Sequence, residues 1–467
     1  MVELQHGQHI HIVGIGGAGM SAIARILLGQ GYSVSGSDRN ANASTAGLAQ
    51  AGATIYAGHA ADNIRGADLL IATSAVPDDH IELAAAQQAK IPVYRRSDII
   101  SALMPGKHVI AVAGTHGKTT TTAMIVHILQ QAGHDPSYIV GGTMQNNGTN
   151  AGVGAGDAFV IEADEYGHMF LGLKPHTAII TNIEWDHPDY FTTPEMLATA
   201  FADFVARLPD DGLLVGFADD SRVRDLLAAR ASLHRPTASY AQSDPSAQWR
   251  GANLRYEHGL LTFDVVHTDQ MQAALTLQIP GQHNAMNALA AIAATTAQGV
   301  TVQQAADALA TFTGTGRRFE LRADFNGIAI VDDYAHHPTA IKATIEAARQ
   351  RYPERDLWAI WQPHTYSRTL QLWHDFLGAF AAAQHVLITD VYAAREQAPP
   401  DFDIQRLVAA MQHPQVQHTP THEQAVALLL RQVQAPAVVL IMSAGDAPQI
   451  GQQLQRRLID YSKGTTH

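Results

Sequence analysis

Lys118 stands between Gly117 and four consecutive threonines, Thr119 to Thr122, in the segment that follows the apolar run Val109–Ala113. The chain has only six lysines, so one in this setting points to chemistry rather than to surface charge. Gly114, Thr115, His116, Gly117, Lys118, Thr119 and Thr120 together supply the parts of a nucleoside-triphosphate loop. These are backbone N–H donors, a lysine point charge for phosphate and a hydroxyl able to ligate magnesium. The spacing departs from the ordinary P-loop, because Val112 occupies the place of its first glycine. Two acidic clusters, Glu162–Glu165 and Asn182–His187, lie at the ends of the apolar runs Phe159–Ala163 and Thr177–Asn182. A carboxylate and an imidazole there can hold magnesium together with phosphate oxygens and water. Open α/β sheets collect ligands at strand C-termini, so both clusters are expected to face the Lys118 loop.

A second glycine-rich loop comes earlier. Gly14, Gly16, Gly17 and Gly19 separate the strand-like run His9–Val13 from a helical pattern over Ser21–Leu28. Glycines there permit a tight turn and bring backbone N–H groups to a diphosphate at the helix N-terminus. Asp38 closes the following strand, nineteen residues after Gly19, where a carboxylate can hold a ribose hydroxyl. Taken alone this reads as a dinucleotide site, and the loop does not say which diphosphate it takes. Farther on, Gly281–Asn287 opens a helix in which Asn284 serves either as a cap or as a ligand contact. Gly316–Glu320 carries Arg317 and Arg318, a charged hinge or a γ-phosphate contact. Asp332–Pro338 and Gln362–Arg368 each follow an apolar run. Neighbouring side chains leave a strand in opposite directions. Substrate contact by His336 and anion binding by Arg368 are therefore better readings than a metal site on His336 and His337.

The elements that must position these groups alternate. Strand-like runs at Ser33–Ser37, Asp68–Ser74 and Ile91–Tyr94 are separated by Ala-rich helical segments, the pattern of a parallel sheet with crossover helices. A helix is predicted from about Thr120 to Gln131, and the stretch Asp210–Gln278 reads as an antiparallel insertion. Helices follow over Asn284–Ala297 and Gln303–Thr311. The last third alternates again: strand Ile328–Asp332, helix Thr339–Gln350, strand Leu357–Trp361, helix Leu370–Ala382, and strands His385–Thr389 and Ala437–Met442. Met104–Lys107 and Gly314–Gly316 mark boundaries, giving three α/β domains over 1–105, 106–320 and 321–467.

Composition narrows the class. Thirty basic and 43 acidic residues leave a net charge of −13, against a main task of coating nucleic acid or anionic membrane. The absence of cysteine removes disulfides, thiolate catalysis and Cys-ligated metal. No signal-peptide pattern is visible at the start, and the longest apolar runs are strand-sized. A cytoplasmic protein is the expectation.

Eight segments, Gly14–Met20, Gly114–Thr122, Glu162–Glu165, Asn182–His187, Gly281–Asn287, Gly314–Glu320, Asp332–Thr339 and Gln362–Thr369, resemble in order the signatures of the Mur ligases of peptidoglycan synthesis. The resemblance covers essentially the whole chain and is closest to the alanine-adding branch. It implies an N-terminal Rossmann-like domain for a UDP-sugar, a central P-loop ATPase-like domain on a mixed sheet and a C-terminal Rossmann-like domain that closes over the site. It further implies ATP-dependent joining of L-alanine to UDP-N-acetylmuramate, with Mg2+ and through an acyl phosphate, by a monomer or homodimer. By matching position, Lys118 would contact the β- and γ-phosphates, with Thr119, Glu162 and His187 around the metal. Asn284, Arg318 and Asp333 would contact ATP. Tyr334, His336 and Arg368 would line the amino acid, with His336 helping to orient or deprotonate its amine. Gly14, Gly16, Gly17, Gly19, Ser37 and Asp38 would hold the UDP part, with Ser74 nearby. Some positions depart from the family pattern: Gly167 stands where many relatives carry an aspartate, Thr365 where some carry an arginine, and Ser443–Asp446 only approximates a terminal Gly-Ala-Gly-Asp. No lysine lies between Lys174 and Lys342, so the carbamoylated lysine of several Mur ligases has no counterpart, in keeping with the alanine-adding branch.

Overall fold

The computed structural model describes residues 2–40 and 42–464. Its strands form three sheets, and the architecture is three-domain α/β. Contacts divide the chain into two compact units, one of Met1–Ile183, Leu197–Arg250 and Ala288–Ala308, the other of Glu184–Met196, Gly251–Asn287 and Leu309–His467.

The first unit contains two of the sheets. β1 (His9–Val13), β2 (Ser33–Asp38), β3 (Thr54–Ala57), β4 (Leu69–Ala72) and β5 (Val93–Arg95) are all parallel, in the order β3-β2-β1-β4-β5. Ile10, Ile12 and Val13 are fully buried, as expected for strands covered on both faces. Register pairs Val13 with Ser37, so the turn after β1 lies beside the end of β2. The helix Ala18–Gly29 leaves that turn with no acidic residue in its first turn and no side-chain cap. Its N-terminus keeps its dipole for an anion.

The second sheet is built from β6 (His108–Ala113), β7 (Ser137–Ile139), β8 (Ala151–Gly152), β9 (Ala158–Glu162), β10 (Thr177–Ile180), β11 (Leu213–Phe217) and β12 (Thr237–Ala241), continued by the first two residues of β13 (Trp249–Glu257). It is mixed: β7 and β8 pair antiparallel, whereas β12, β11, β10, β6, β9 and β7 run parallel. The helix Lys118–Gln131 packs against it with an almost wholly buried surface from Thr119 to Leu129. It starts two residues earlier than the sequence predicts, which makes Lys118 its first residue. The expected antiparallel insertion over Asp210–Gln278 holds only in part, because β11 and β12 extend the parallel sheet.

In the second unit, β14 (Leu260–His267) and β15 (Gln270–Leu277) form the antiparallel hairpin. β16 (Glu320–Phe325), β17 (Ile328–Asp333), β18 (Asp356–Trp361), β19 (His385–Ile388), β20 (Val416–His418) and β21 (Ala437–Met442) form the third sheet, in the order β16-β17-β21-β18-β19-β20. Only the edge strand β16 is antiparallel. Alternate residues feed two cores, Val331, Ala359 and Trp361 on one face and Ile330, Trp358 and Ile360 on the other. The helix predicted over Leu370–Ala382 is instead two short pieces, Tyr366–Gln371 and Trp373–Phe376. Phe376 and Phe380 pack against Trp361 with ring centroids 4.4 and 5.4 Å away, so aromatic packing overrides the helical propensity of the segment. Among the described residues no helix is long and apolar enough to cross a membrane.

Candidate active site

In the first unit the loop between β6 and its helix is fixed from β10. Asn182 accepts the His116 N–H at 2.9 Å and donates to the His116 carbonyl at 3.1 Å, and the Thr115 N–H reaches the Asn182 carbonyl. Thr181 donates to the His116 carbonyl at 2.5 Å. A Cβ on Gly114 would fall 2.0 Å from Thr181 Oγ1, and the backbone there is left-handed (φ 132°), so only glycine fits. Lys118 Nζ donates to the Gly114 carbonyl at 2.5 Å and to both carboxylate oxygens of Glu165 at 3.0 and 2.8 Å. Burial depresses the lysine pKa, but Glu165 and Asp164 outweigh it and the net shift is upward. The lysine is a permanent cation at the helix N-terminus.

Beside it, Thr119 Oγ1 donates to Glu162 Oε1 at 3.1 Å, while Glu162 Oε2 accepts the Gly141 N–H at 2.7 Å. A Cβ at Gly141 would come within 2.3 Å of that carboxylate. A hydroxyl and a carboxylate held together are hard oxygen donors of the kind magnesium takes, so this pair fits the metal that the motif implies.

The other glycine loop of this unit is fixed by β2. The Ser37 carbonyl accepts the N–H groups of Gly14 and Ile15 at 2.8 and 3.1 Å, and the Asp38 carboxylate accepts that of Gly16 at 2.9 Å. Asp38 thus shapes the loop directly. A Cβ on Gly19 would meet Arg96 Nη1 at 2.7 Å, which places a guanidinium against the loop. Ser74 is exposed just beyond β4. Asn150 donates to the Ala18 carbonyl at 3.3 Å, linking the start of this helix to the residues before β8.

The second unit gathers another set. Arg368 Nε donates to Asp186 Oδ1 at 2.8 Å, and both side chains are about 5% exposed. Burial raises the Asp186 pKa, but Arg368 and then the nearby histidines pull it well below the usual carboxylate range. The His187 and His336 rings each place Nε2 3.9 Å from Asp186. His336 Nδ1 lies 2.9 Å from the Tyr334 carbonyl. A carbonyl only accepts, so Nδ1 carries the proton and Nε2 the lone pair. Burial and then Arg368 hold the His336 pKa well below its ordinary value, which keeps that lone pair unprotonated. His364 approaches Arg368 Nη1 at 3.1 Å; burial and then Arg368 lower its pKa to about 4.

Arg317 and Arg318 both lie 5.0 Å over the Tyr334 ring. Arg317 also donates to the Ser443 and Gly445 carbonyls at 2.5 and 3.1 Å. Asp333 accepts the N–H groups of Phe319 and Ala335, both at 2.7 Å, so its carboxylate staples the arginine turn to the end of β17. Asn284 donates to the Pro280 carbonyl at 2.6 Å and accepts from Asn287 at 3.0 Å. Those bonds stitch the start of its own helix.

Motif reading alone did not single out Glu165, Asp186, His364 or Arg96 for these positions. Glu165 and Asp186 lay inside flagged clusters, and His364 inside a flagged motif, but the partner of each was invisible. Arg96 stands in no motif.

Comparison with known proteins gives three domain matches. The Mur ligase family, catalytic domain model covers residues 9–108, the Mur ligase middle domain 112–295 and the Mur ligase, glutamate ligase domain 317–445. A UDP-N-acetylmuramate–L-alanine ligase of Pelotomaculum thermopropionicum is 41% identical, over 98% of this chain and 99% of its own. The crystal structure of a UDP-N-acetylmuramate-alanine ligase from Thermotoga maritima aligns with a TM-score of 0.81 at 27% identity, over 97% of this chain and 100% of that one. A murein peptide ligase from Psychrobacter arcticus aligns at 0.72 and 30% identity, over 97% and 99%.

Proposed function

Because the chain belongs to the Mur ligase family, we propose that it joins L-alanine to the lactyl carboxylate of UDP-N-acetylmuramate at the expense of ATP, in peptidoglycan precursor synthesis. The observation that carries the reading is the Lys118 loop, with a cation at a helix N-terminus and the Thr119–Glu162 oxygen pair beside it, in a chain alike from end to end to named alanine ligases.

A carboxylate is a poor electrophile near neutral pH, so it must first gain a leaving group. The lactyl carboxylate oxygen attacks the γ-phosphorus of ATP, the bond to the β–γ bridging oxygen breaks, and an acyl phosphate and ADP result. The amine of L-alanine then adds to the acyl carbon, loses a proton, and the tetrahedral adduct expels inorganic phosphate. Lys118 stabilises negative charge on the transferring phosphoryl group, where positioning and electrostatics dominate. Thr119 and Glu162, with His187, would hold Mg2+, which supplies charge neutralisation at the phosphates when bound. Arg318, Asn284 and Asp333 are assigned to ATP. Gly14, Gly16, Gly17, Gly19, Ser37, Asp38 and Ser74 are assigned to the UDP part.

Arg368 is assigned to the alanine carboxylate and Tyr334 to the same pocket. His336 fits the amine, because its Nε2 lone pair is unprotonated at pH 7 and can accept the proton the amine loses. We assign the three domains to 1–105, 106–320 and 321–467 and the protein to the cytoplasm. The test is phosphate release from purified protein with UDP-N-acetylmuramate, ATP and magnesium, offering L-alanine, other amino acids and the tripeptide L-alanyl-γ-D-glutamyl-meso-diaminopimelate in turn. Release with L-alanine is the expected result. Release with the tripeptide alone would replace this reading with a murein-peptide ligase.

A further inference from the structure

The nucleotide-binding sheet contains a buried anion that the ligation chemistry does not use. Glu82, in the first turn of the helix Ile81–Gln88, is wholly buried. Its Oε1 accepts from Asn63 Nδ2 at 2.7 Å and from the Ala60 N–H at 3.3 Å, and its Oε2 accepts from the Ser37 hydroxyl at 2.6 Å. His11 Nε2 stands 3.8 Å from Oε2. Burial pushes this carboxyl up, but His11, Ser37 and Asn63 outweigh it and bring it to about 2, so it is ionised and can only accept. The three donor atoms that His59, His80 and Glu82 can offer lie within 4.8 Å of one another. Both Glu82 oxygens are already taken, however, and His80 Nδ1 accepts the Glu82 N–H at 3.4 Å, so the cluster reads as a relay rather than a cation site.

The relay fixes a proton. The single Ser37 hydroxyl hydrogen goes to Glu82, so the 2.9 Å contact between Ser37 Oγ and His59 Nδ1 requires His59 to donate. In the neutral ring Nδ1 then carries the hydrogen and Nε2 the lone pair. Ser37 also anchors the glycine loop through its carbonyl, and His59 follows the end of β3, the neighbour of β2 on the side away from β1. A nucleotide whose diphosphate lies on that loop runs its base outward along these strand ends.

We propose that Glu82 is a positioning residue for base recognition: through Ser37 it holds His59 in the Nδ1–H form, so that Nε2 accepts the imide N3–H of uracil. Cytosine has a lone pair at N3 and is refused. The inference rests on the sugar-nucleotide reading above. In Glu82→Gln, Asn63 and Ala60 still require an acceptor at the first position, which turns the new amide nitrogen toward Ser37. That nitrogen donates to Ser37, Ser37 must then donate to His59 Nδ1, and the imidazole proton moves to Nε2. An acceptor has become a donor.

The experiment is calorimetric titration of the full chain with UDP, CDP and 2′-deoxy-UDP, with the KM for ATP measured alongside. Wild type is expected to prefer UDP to CDP. Glu82→Gln should lower that preference about tenfold or more, the worth of one hydrogen bond left unmade, with the KM for ATP unchanged. His59→Phe, at a side chain 15% exposed, should also lose the preference, and it decides the matter if Glu82→Gln does not fold. Weaker UDP binding with an unchanged UDP-to-CDP ratio in both variants would overturn the proposal, because Glu82 would then be merely structural. Loss of 2′-deoxy-UDP discrimination in place of CDP discrimination would also overturn it, because His59 would then read the ribose. Wild type that binds neither UDP nor CDP would instead sink the sugar-nucleotide reading itself.

Discussion

Lys118→Met should have two separable consequences. The ammonium and the Glu165 carboxylate are 13% and 1% exposed and 2.8 Å apart. Removing the cation leaves a carboxylate charge buried without it, which costs about 3–5 kcal/mol by precedent for broken buried pairs. That is a large share of the ~5–15 kcal/mol that holds an ordinary domain together. It should also remove the charge that stabilises the transferring phosphoryl group, lowering the rate of phosphate release at least about 10²–10³-fold. The double variant Lys118→Met/Glu165→Gln removes both charges, so it should recover most of the stability and none of the activity. Urea unfolding followed by far-UV circular dichroism reads the first effect, and phosphate release reads the second. The lysine pKa is raised, so its contribution is complete below the ordinary value near 10.5 and is lost only as pH climbs past its folded value. The wild-type pair should therefore contribute equally at pH 6 and pH 9, whereas in the variant the unpaired buried Glu165 is driven towards its neutral form, so the penalty should be no larger at pH 6 than at pH 9. A single variant that loses less than about 1 kcal/mol, the worth of an exposed pair, would refute the argument. So would a double variant no more stable than the single, or one that regains activity.

Three further outcomes follow from the same geometry. Gly141→Ala puts a Cβ 2.3 Å from Glu162; the carboxylate must swing aside, so the magnesium requirement for phosphate release should rise while the fold stays intact, and Glu162→Gln should raise it further. An unchanged magnesium titration in both removes Glu162 from the metal site. Arg368→Met should raise the apparent KM for L-alanine more than that for ATP and destabilise the fold by roughly 3–5 kcal/mol, because Asp186 loses its buried partner; adding Asp186→Asn should return most of that stability, as a double-mutant cycle will show. His364 takes up its proton near pH 4 when folded and near 6.5 when unfolded. Stability should therefore fall as pH drops from 6.5 towards 4, and His364→Gln should flatten that slope of urea midpoint against pH; an unaltered slope would show that His364 is not held neutral.

The structure explains which parts of this site could be read along the chain. Lys118 was legible because lysine is scarce here and its neighbours are glycines and threonines, a combination that packing alone does not demand. The parallel strands were legible as apolar runs ending in polar residues, since a strand covered on both faces needs no alternation. What escaped was pairing across long sequence distances. Nothing local to Asp186 announces Arg368, 182 residues on; they meet only once β18 and the segment after β10 are in place. Within Glu162–Glu165 the residue types alone did not separate three carboxylates; the family resemblance picked out Glu162, and only the fold pairs Glu162 with Thr119 and Glu165 with Lys118. The segment from Leu370 has helical composition, yet Trp361 draws Phe376 and Phe380 into one core and breaks the helix. Asp38 shows the same limit from the other side: its place nineteen residues after the last loop glycine suggested a ribose contact, but nothing local announced that its carboxylate also accepts the Gly16 N–H of the loop.

Glu82 marks the far end of that scale. It lies in a short Ala-rich helix outside every motif, and its helix is barely amphipathic, with charged and alanine positions buried alike. A fully buried carboxylate needs donors to be tolerated, and two separate segments bring three of them: β2 through Ser37, and the turn after β3 through Ala60 and Asn63. Such convergence is costly to assemble for stability alone, because an apolar side chain of similar size would fill the space without needing any partner. What an apolar side chain could not do is dictate where the proton sits on a neighbouring imidazole. The carboxylate is thus better explained by what it imposes on Ser37 and His59 than by any contribution to the core.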